Sequence, residues 1–448
     1  MKFQSLRSHP LVAGTLLLTL AGLLSRVIGF FFRIFLSQSI GAEGMGIYQL
    51  TIPIHILTIS LTSSAIQTAV SRFVAQAAIA SRSPAAKLNR KAPCNESCYL
   101  AAGLFLSLSL SVLCAIFLYQ FSEPAAFYFL EEPRCAPLLK VLAFTIPFGS
   151  IHSCINGYFY GLKKTFVPSV SQLIEQLARV ASVWLFFEIS MEKYHTVSLH
   201  LIIWGMVAGE LAATLFSVSF LPKKRSYGSR FLAVRQIFSM SLPLSANRVL
   251  VNILQSMEAV MIPGKLRQYG YTTSESLSVY GILTGMALPM VLFPSVLTNS
   301  VSVMLLPAIA EAQEKKDRRY IVTAVKKTCF YSLALGFVCT LLFLLFGRWM
   351  GDTLFGNGLA GTFIITLGWI CPFLYMSTTL HSILNGLGKT TSTFFLNVAG
   401  LGIRIGFVLF AIPAAGMKGY LWGLLSSQAF MAGGALLMLL KGDEIRIS

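Results

Sequence analysis

The chain has 448 residues, of which 55% are hydrophobic and only 12% charged, and its mean hydropathy is +0.72. A soluble chain carries about 25% charged residues, so a water-facing globule is excluded. The formal net charge of +18 is divided among short loops, which excludes the continuous basic face that a nucleic acid needs.

A helix crosses a bilayer core of roughly 30 Å with about 20 mainly apolar residues. The apolar pattern predicts twelve such helices, at 11–40, 47–78, 98–121, 138–161, 166–189, 197–221, 236–262, 279–310, 321–347, 360–386, 391–413 and 418–440. The first run follows Lys2 and Arg7 as a signal peptide would, but no small-residue cleavage site closes it and the pattern continues past Arg26 to Ile40. It reads as a retained helix. On it, Arg26 and Arg33 lie two turns apart on one face, near Gly22, Ser25, Gly29 and Ser37. Ile28, Phe31, Phe32 and Phe35 are expected on the lipid side.

The second helix carries Thr51, His55, Thr58 and Thr62 at helical spacing, with Arg72 near its end, where it is expected to reach for the interface. Cys94 and Cys98 fall in a predicted cytoplasmic loop that offers too few ligands for a metal, and the cysteines inside helices read as small hydrophobes. In the fifth helix, Glu175 and Arg179 are four apart and suited to neutralise each other. The sixth helix holds Glu210 at its middle, as an ion pair or an ion-coupling carboxylate. The seventh carries a polar stripe, Ser241, Ser245, Arg248, Asn252, Gln255 and Glu258, in which Glu258 is expected to pair with Arg248. Arg404, in the eleventh, is expected to snorkel. Pro53, Pro147, Pro289, Pro294 and Pro372 interrupt helices.

Orientation follows from loop Lys and Arg. Arg82, Lys87, Arg90 and Lys91, then Lys163 and Lys164, then Lys223, Lys224, Arg225, Arg230 and Arg235, then Lys315, Lys316, Arg318 and Arg319 occupy alternate loops, while the loops between them are nearly free of basic residues. Both termini are therefore expected in the cytoplasm.

The chain also repeats itself. Leu142 to Arg179 aligns without gaps with Leu367 to Arg404, 225 positions later, sharing Leu142/Leu367, Pro147/Pro372, Phe148/Phe373, Gly161/Gly386, Lys164/Lys389, Thr165/Thr390 and Arg179/Arg404. Trp204, Gly205 and Glu210 face Trp422, Gly423 and Gln428, and Ser25, Arg26 and Val27 face Asn247, Arg248 and Val249. The fold expected is all-α and polytopic, with two six-helix lobes (1–222 and 236–448) related as parallel repeats and joined by a basic linker (223–235). Transporters built from such repeats bind substrate near the midplane between them and alternate access.

An Arg near a helix centre costs about 2.5–3.5 kcal/mol on insertion scales, so it normally faces a cavity or a partner. Arg26, Arg33 and Arg248, with Asn252, are the expected binding residues of a cationic cavity, whose natural complement is a pyrophosphate. Glu210, Glu258 and His55 are coupling or ion-pair candidates. The G-L-G-K-T at 386–390 lacks the spacing of a phosphate loop, and its G-L-K-K-T twin at 161–165 marks it as a repeated turn. No metal-ligand cluster or nucleophile constellation stands out, so no metal, cofactor or catalysis is expected.

The stretches SRVIGFFFRIFLSQSIGAEGMGIYQLTIPI (25–54), SRFVAQ (71–76) and YGILTGMALPMVLFPSVLTNSVSVMLLPAIAEA (280–312) resemble the stage V sporulation protein B group of polysaccharide exporters. This group lies in the multidrug/oligosaccharidyl-lipid/polysaccharide exporter superfamily and is similar to lipid II flippases. The resemblance implies outward flipping of an undecaprenyl-pyrophosphate-linked sugar or peptidoglycan precursor across the bacterial cytoplasmic membrane, by a monomer whose partners are that lipid-linked precursor and membrane lipids. It also implies essential arginines on the first helix, here Arg26 and Arg33. The chain departs from lipid II flippases in having twelve rather than fourteen helices, and Ile34 where they have an acid. The alternatives are a cation antiporter of the same superfamily, which needs carboxylates that the first helix lacks, and a non-transporting cell-wall or spore-cortex assembly protein.

Overall fold

The computed structural model describes residues 10–80, 94–194, 198–221 and 227–441. Arg82, Lys87, Arg90, Lys91, Lys223, Lys224 and Arg225, on which much of the orientation rests, lie outside the described residues, as do residues 223–226 of the 223–235 linker and both termini. Within them the chain is all-helical, apart from one isolated bridge between Cys94 and Gly228.

The first helical run, Leu17–Ala80, is 64 residues long. At 1.5 Å per residue it would reach about 96 Å, roughly three bilayer cores. Gly41 divides it. With φ 69 and ψ −177 it takes a conformation closed to residues with a Cβ, and the chain kinks there into α1 (10–40) and α2 (42–80). α3 is Glu96–Gln120. α4 is a bent pair, Pro133–Leu142 and Thr145–Gly161, at 43°. α5 (Phe166–Tyr194), α6 (His200–Ser219) and α7 (Arg230–Tyr269) follow.

α8 is broken in two, Thr273–Leu292 and Ser295–Glu314, and α9 is Arg318–Phe355. α10 is a second bent pair, Gly358–Gly368 and Cys371–Gly386, at 55°. α11 (Thr390–Ala415) and α12 (Met417–Lys441) complete the chain. Both bends fall just before the repeated prolines, Pro147 and Pro372, and the break in α8 falls at Pro294, where the missing N–H cannot continue the helix.

The described residues divide into two compact units. The N-terminal unit takes the chain up to Phe32 and then Leu50–Ser256; the C-terminal unit takes Arg33–Gln49 and everything from Met257. The core of the first is built on Ile66, Val70, Val74, Cys98, Cys154 and Ile155, joined by Ala233 and Ile237 from the start of α7. The core of the second is built on Ile309, Ile321, Leu380, Ile383, Leu396 and Ala432. Phe32, expected toward lipid, is buried at 6% exposure, whereas Phe31 is 63% exposed. The aromatic face of α1 is thus narrower than its spacing suggests.

Bilayer interiors offer helices no hydrophobic drive to associate, so small residues that allow close approach hold them together. Gly205 and Gly209, four apart on α6, do this against α5: a Cβ at Gly205 would lie 2.2 Å from Val183, and one at Gly209 would lie 2.8 Å from the Glu175 carbonyl oxygen. This contact sets Glu175 and Arg179 beside Glu210.

Candidate functional site

In the N-terminal unit, α2 passes through a π-turn at Ser60–Ser64. Such turns shift the helical register and recur at functional sites. Here the turn ends on Ser64, whose hydroxyl accepts a hydrogen bond from the Arg248 guanidinium of α7. Below it opens a cavity of about 610 Å³, lined by Gln67, Thr68, Ser71 and Arg72 of α2, Tyr160 and Lys163 from the end of α4, and Arg248. Its lining holds three cations, three hydroxyls and an amide, and no carboxylate. Arg72, expected merely to reach for the interface, lines this cavity, and one of its guanidinium nitrogens lies 3.8 Å from the Met240 sulfur.

Lys163 has an unusual backbone. Its φ is 58, in the left-handed region, and the position matching it in the second repeat is Gly388, with φ 74. The turn needs a left-handed residue in both copies, and glycine fills it without a steric penalty. The first repeat has a lysine there, in the left-handed turn with which helices commonly end, as Lys316 does after α8.

The other predicted binding residues divide between the units. Arg26 and Asn252 belong to the N-terminal unit with Arg248, while Arg33 belongs to the C-terminal unit. Arg26 and Arg33 are both exposed, and Asn252 is half-buried.

Glu258 is 3% exposed and pairs with Arg404 of α11 rather than with Arg248. The Arg404 Nε donates to Glu258 Oε1 at 2.7 Å, a second guanidinium nitrogen donates to Oε2, and the Tyr420 hydroxyl donates to Oε1 at 2.8 Å. Arg404 therefore has a buried partner and does not snorkel. The sequence cannot display this pair, since its members are 146 positions apart. The same unit contains a cavity of about 750 Å³ lined by aromatic and aliphatic side chains, among them Trp369, Phe373 and Trp422, with one cation, Lys418.

A second polar group lies deep in the N-terminal unit. Glu175 accepts from the Arg179 guanidinium. The Glu210 carboxylate lies 3.5 Å from His152 Nδ1, and both side chains are 9% exposed. The other ring nitrogen of His152 is 2.8 Å from the Asn156 amide nitrogen and 3.1 Å from the Ser171 hydroxyl. His55 is buried beside Thr145, 3.4 Å from its hydroxyl. The sequence displays no ligand spacing, yet the fold gathers His152, Glu175 and Glu210 so that their ligand atoms lie within 4.8 Å of one another. His152 went unnoticed in the sequence; the signal was there in the repeat, where His152 and Glu210 match Ser377 and Gln428.

A family model described as polysaccharide biosynthesis protein matches residues 11–313. The chain belongs to this family. Among curated relatives of the family member is the stage V sporulation protein B of Bacillus subtilis (strain 168), 26% identical over 444 residues, covering 96% of this chain and 83% of that protein. Among solved structures, the lipid II flippase MurJ in an inward closed conformation aligns at TM-score 0.72 with 15% identity, covering 95% of this chain and 87% of that one. A multidrug resistance MATE family transporter of the MOP superfamily, in an inward-facing conformation, aligns at TM-score 0.66 with 14% identity over 92% and 93%. The family member is a multi-pass membrane protein with the all-helical fold of these transporters.

Proposed function

We propose that this chain is a flippase that carries an anionic undecaprenyl-pyrophosphate-linked sugar or peptidoglycan precursor outward across the cytoplasmic membrane by alternating access. The observation that carries the reading is the cavity under Arg248. Arg72, Lys163 and Arg248 present three positive charges with no carboxylate among the lining residues, and Ser71, Thr68 and Gln67 supply neutral donors. A pyrophosphate bears about two negative charges at neutral pH and suits forked guanidinium donors. A cation antiporter requires the opposite sign. Arg26, Arg33 and Asn252 act in the same reading as further contacts along the substrate's path. The duplication of 1–222 in 236–448 supports alternation, and similarity to a lipid II flippase and to a sporulation protein supports a lipid-linked wall precursor.

The test is flipping by purified protein in sealed vesicles, with a fluorescent lipid-linked disaccharide whose pyrophosphate is intact. Protein-dependent loss of probe from the inner leaflet, competed by undecaprenyl pyrophosphate and not by a lipophilic cation, is expected. Competition by the cation alone would overturn the proposal.

A further inference from the structure

The two repeats place the same contact in different chemistry. In the C-terminal unit the Ser377 hydroxyl of α10 donates to Gln428 Oε1 of α12 at 3.2 Å, a neutral pair. At the matching positions of the N-terminal unit stand His152 of α4 and Glu210 of α6, 3.5 Å apart. The surrounding charges differ as well. In the C-terminal unit Arg404 is balanced by Glu258. In the N-terminal unit Arg179 is balanced by Glu175, so Glu210 is a carboxylate in excess.

The charged and titratable groups facing this pair are His55 from α2, Glu175 and Arg179 from α5, and the pair's own members on α4 and α6. With both histidines neutral, the group carries one net negative charge in a place almost closed to solvent. Glu210 Oε2 is more than nine-tenths buried and has no hydrogen-bond partner. An unpaired buried charge is among the most costly features a fold can hold, so the group requires one added positive charge. A divalent ion would overshoot and leave the group positive. Sodium prefers oxygen ligands, as hard cations do, and the atom facing Glu210 is an imidazole nitrogen. A proton satisfies both conditions.

We infer that His152 and Glu210 form a binding site for one exchangeable proton in the N-terminal unit. The site is built for both states. When the Asn156 amide donates to Nε2, His152 keeps its single proton on Nδ1, toward Glu210. A second proton on Nε2 is accepted once the Asn156 side chain turns its oxygen to the ring, as an amide can. Gly149 gives the carboxylate room, since a Cβ there would lie 3.3 Å from Glu210 Oε2. Proton binding itself stands apart from the flippase reading; its use to drive transport rests on that reading.

The experiment is nitrogen NMR of histidine-labelled full-length protein in lipid nanodiscs, without substrate, with His152 assigned by its loss in His152→Ser. Its resonance should pass from neutral to charged values through a single-proton step between about pH 5 and 8, the range in which histidine changes charge. In Glu210→Gln the step should vanish. The double variant, His152→Ser with Glu210→Gln, copies the neutral C-terminal pair and is expected to fold; its pH-dependent melting should be flat where that of the wild type is not. Replacing choline with sodium, or adding zinc, at fixed pH should leave the resonance in place. A His152 signal that stays neutral throughout, a step that survives Glu210→Gln, or displacement by sodium or zinc would each overturn the proposal. Flipping assays decide the transport reading separately: a protein that titrates but does not flip keeps the proton site and loses the flippase.

Discussion

Removing Arg248 tests the cationic cavity most directly, because this residue has both a charge and a fixed position. Its guanidinium is held by Ser64 at the end of the π-turn, so it reaches a phosphate oxygen without first being ordered. Two unit charges 4 Å apart interact by about 4 kcal/mol at an effective dielectric of 20. Arg248 is exposed, and solvent screening takes about half of that attraction, leaving about 2 kcal/mol. Since 1.4 kcal/mol is a factor of ten, Arg248→Ala should lower precursor flipping in vesicles by roughly 30-fold at matched protein content. Arg248→Lys keeps the charge and loses the fork, so a smaller loss is expected. Membrane insertion should be undiminished, because a charge has been taken out of an apolar helix. If Arg248→Ala flips at the wild-type rate, the cavity does not bind the pyrophosphate and the reasoning fails.

Arg72→Ala should resemble Arg248→Ala in flipping assays rather than be neutral, since both line the same cavity. Lys163→Gly should relieve left-handed backbone strain and leave the melting temperature unchanged or slightly raised while flipping falls; a full rate would make the lysine incidental. Glu258→Ala leaves the half-buried Arg404 without its carboxylate, and breaking a buried pair costs about 3–5 kcal/mol, which thermal denaturation in detergent should read as a drop in melting temperature. In a cysteine-free background, Gly264→Cys should react with an impermeant maleimide in intact cells and Ser226→Cys should not; the reverse pattern would invert the assigned orientation.

The helices were legible because a membrane forces every backbone polar group to be satisfied within the segment, which leaves long apolar runs that composition alone reveals. The repeat was legible for a similar reason: Pro147 and Pro372 bend α4 and α10 at the same place, so the residues around them match in order. The ion pairs were legible only when local. Glu175 and Arg179 stand one turn apart and meet as their spacing suggests. Glu258 shares a polar stripe with Arg248 but meets Arg404, because a side chain on a long helix chooses among neighbours that the helix's own periodicity does not contain. The π-turn in α2 was invisible, since no residue in S-L-T-S-S demands it, and with it the reason why Ser64 meets Arg248.

What distinguishes the two repeats is more informative than what they share. Matching positions hold Lys163 and Gly388, His152 and Ser377, Glu175 and Gly400, and Glu210 and Gln428. In each case the N-terminal copy has the ionisable residue and the C-terminal copy a neutral or smaller one. The exchange runs the other way at one position, where Asn156 matches His381, and a neutral pair suffices to hold two helices together, as the Ser377–Gln428 hydrogen bond does. A buried histidine–carboxylate pair and a lysine in a left-handed turn both cost stability relative to their counterparts. In the proposed cycle they are the groups that change charge or meet charge. The C-terminal unit, with its balanced Arg404–Glu258 pair and a largely apolar cavity edged by Lys418, is suited to a lipid chain. A substrate with an anionic head and a long apolar tail is the kind of molecule for which such a division of chemistry between two copies of one fold has a use.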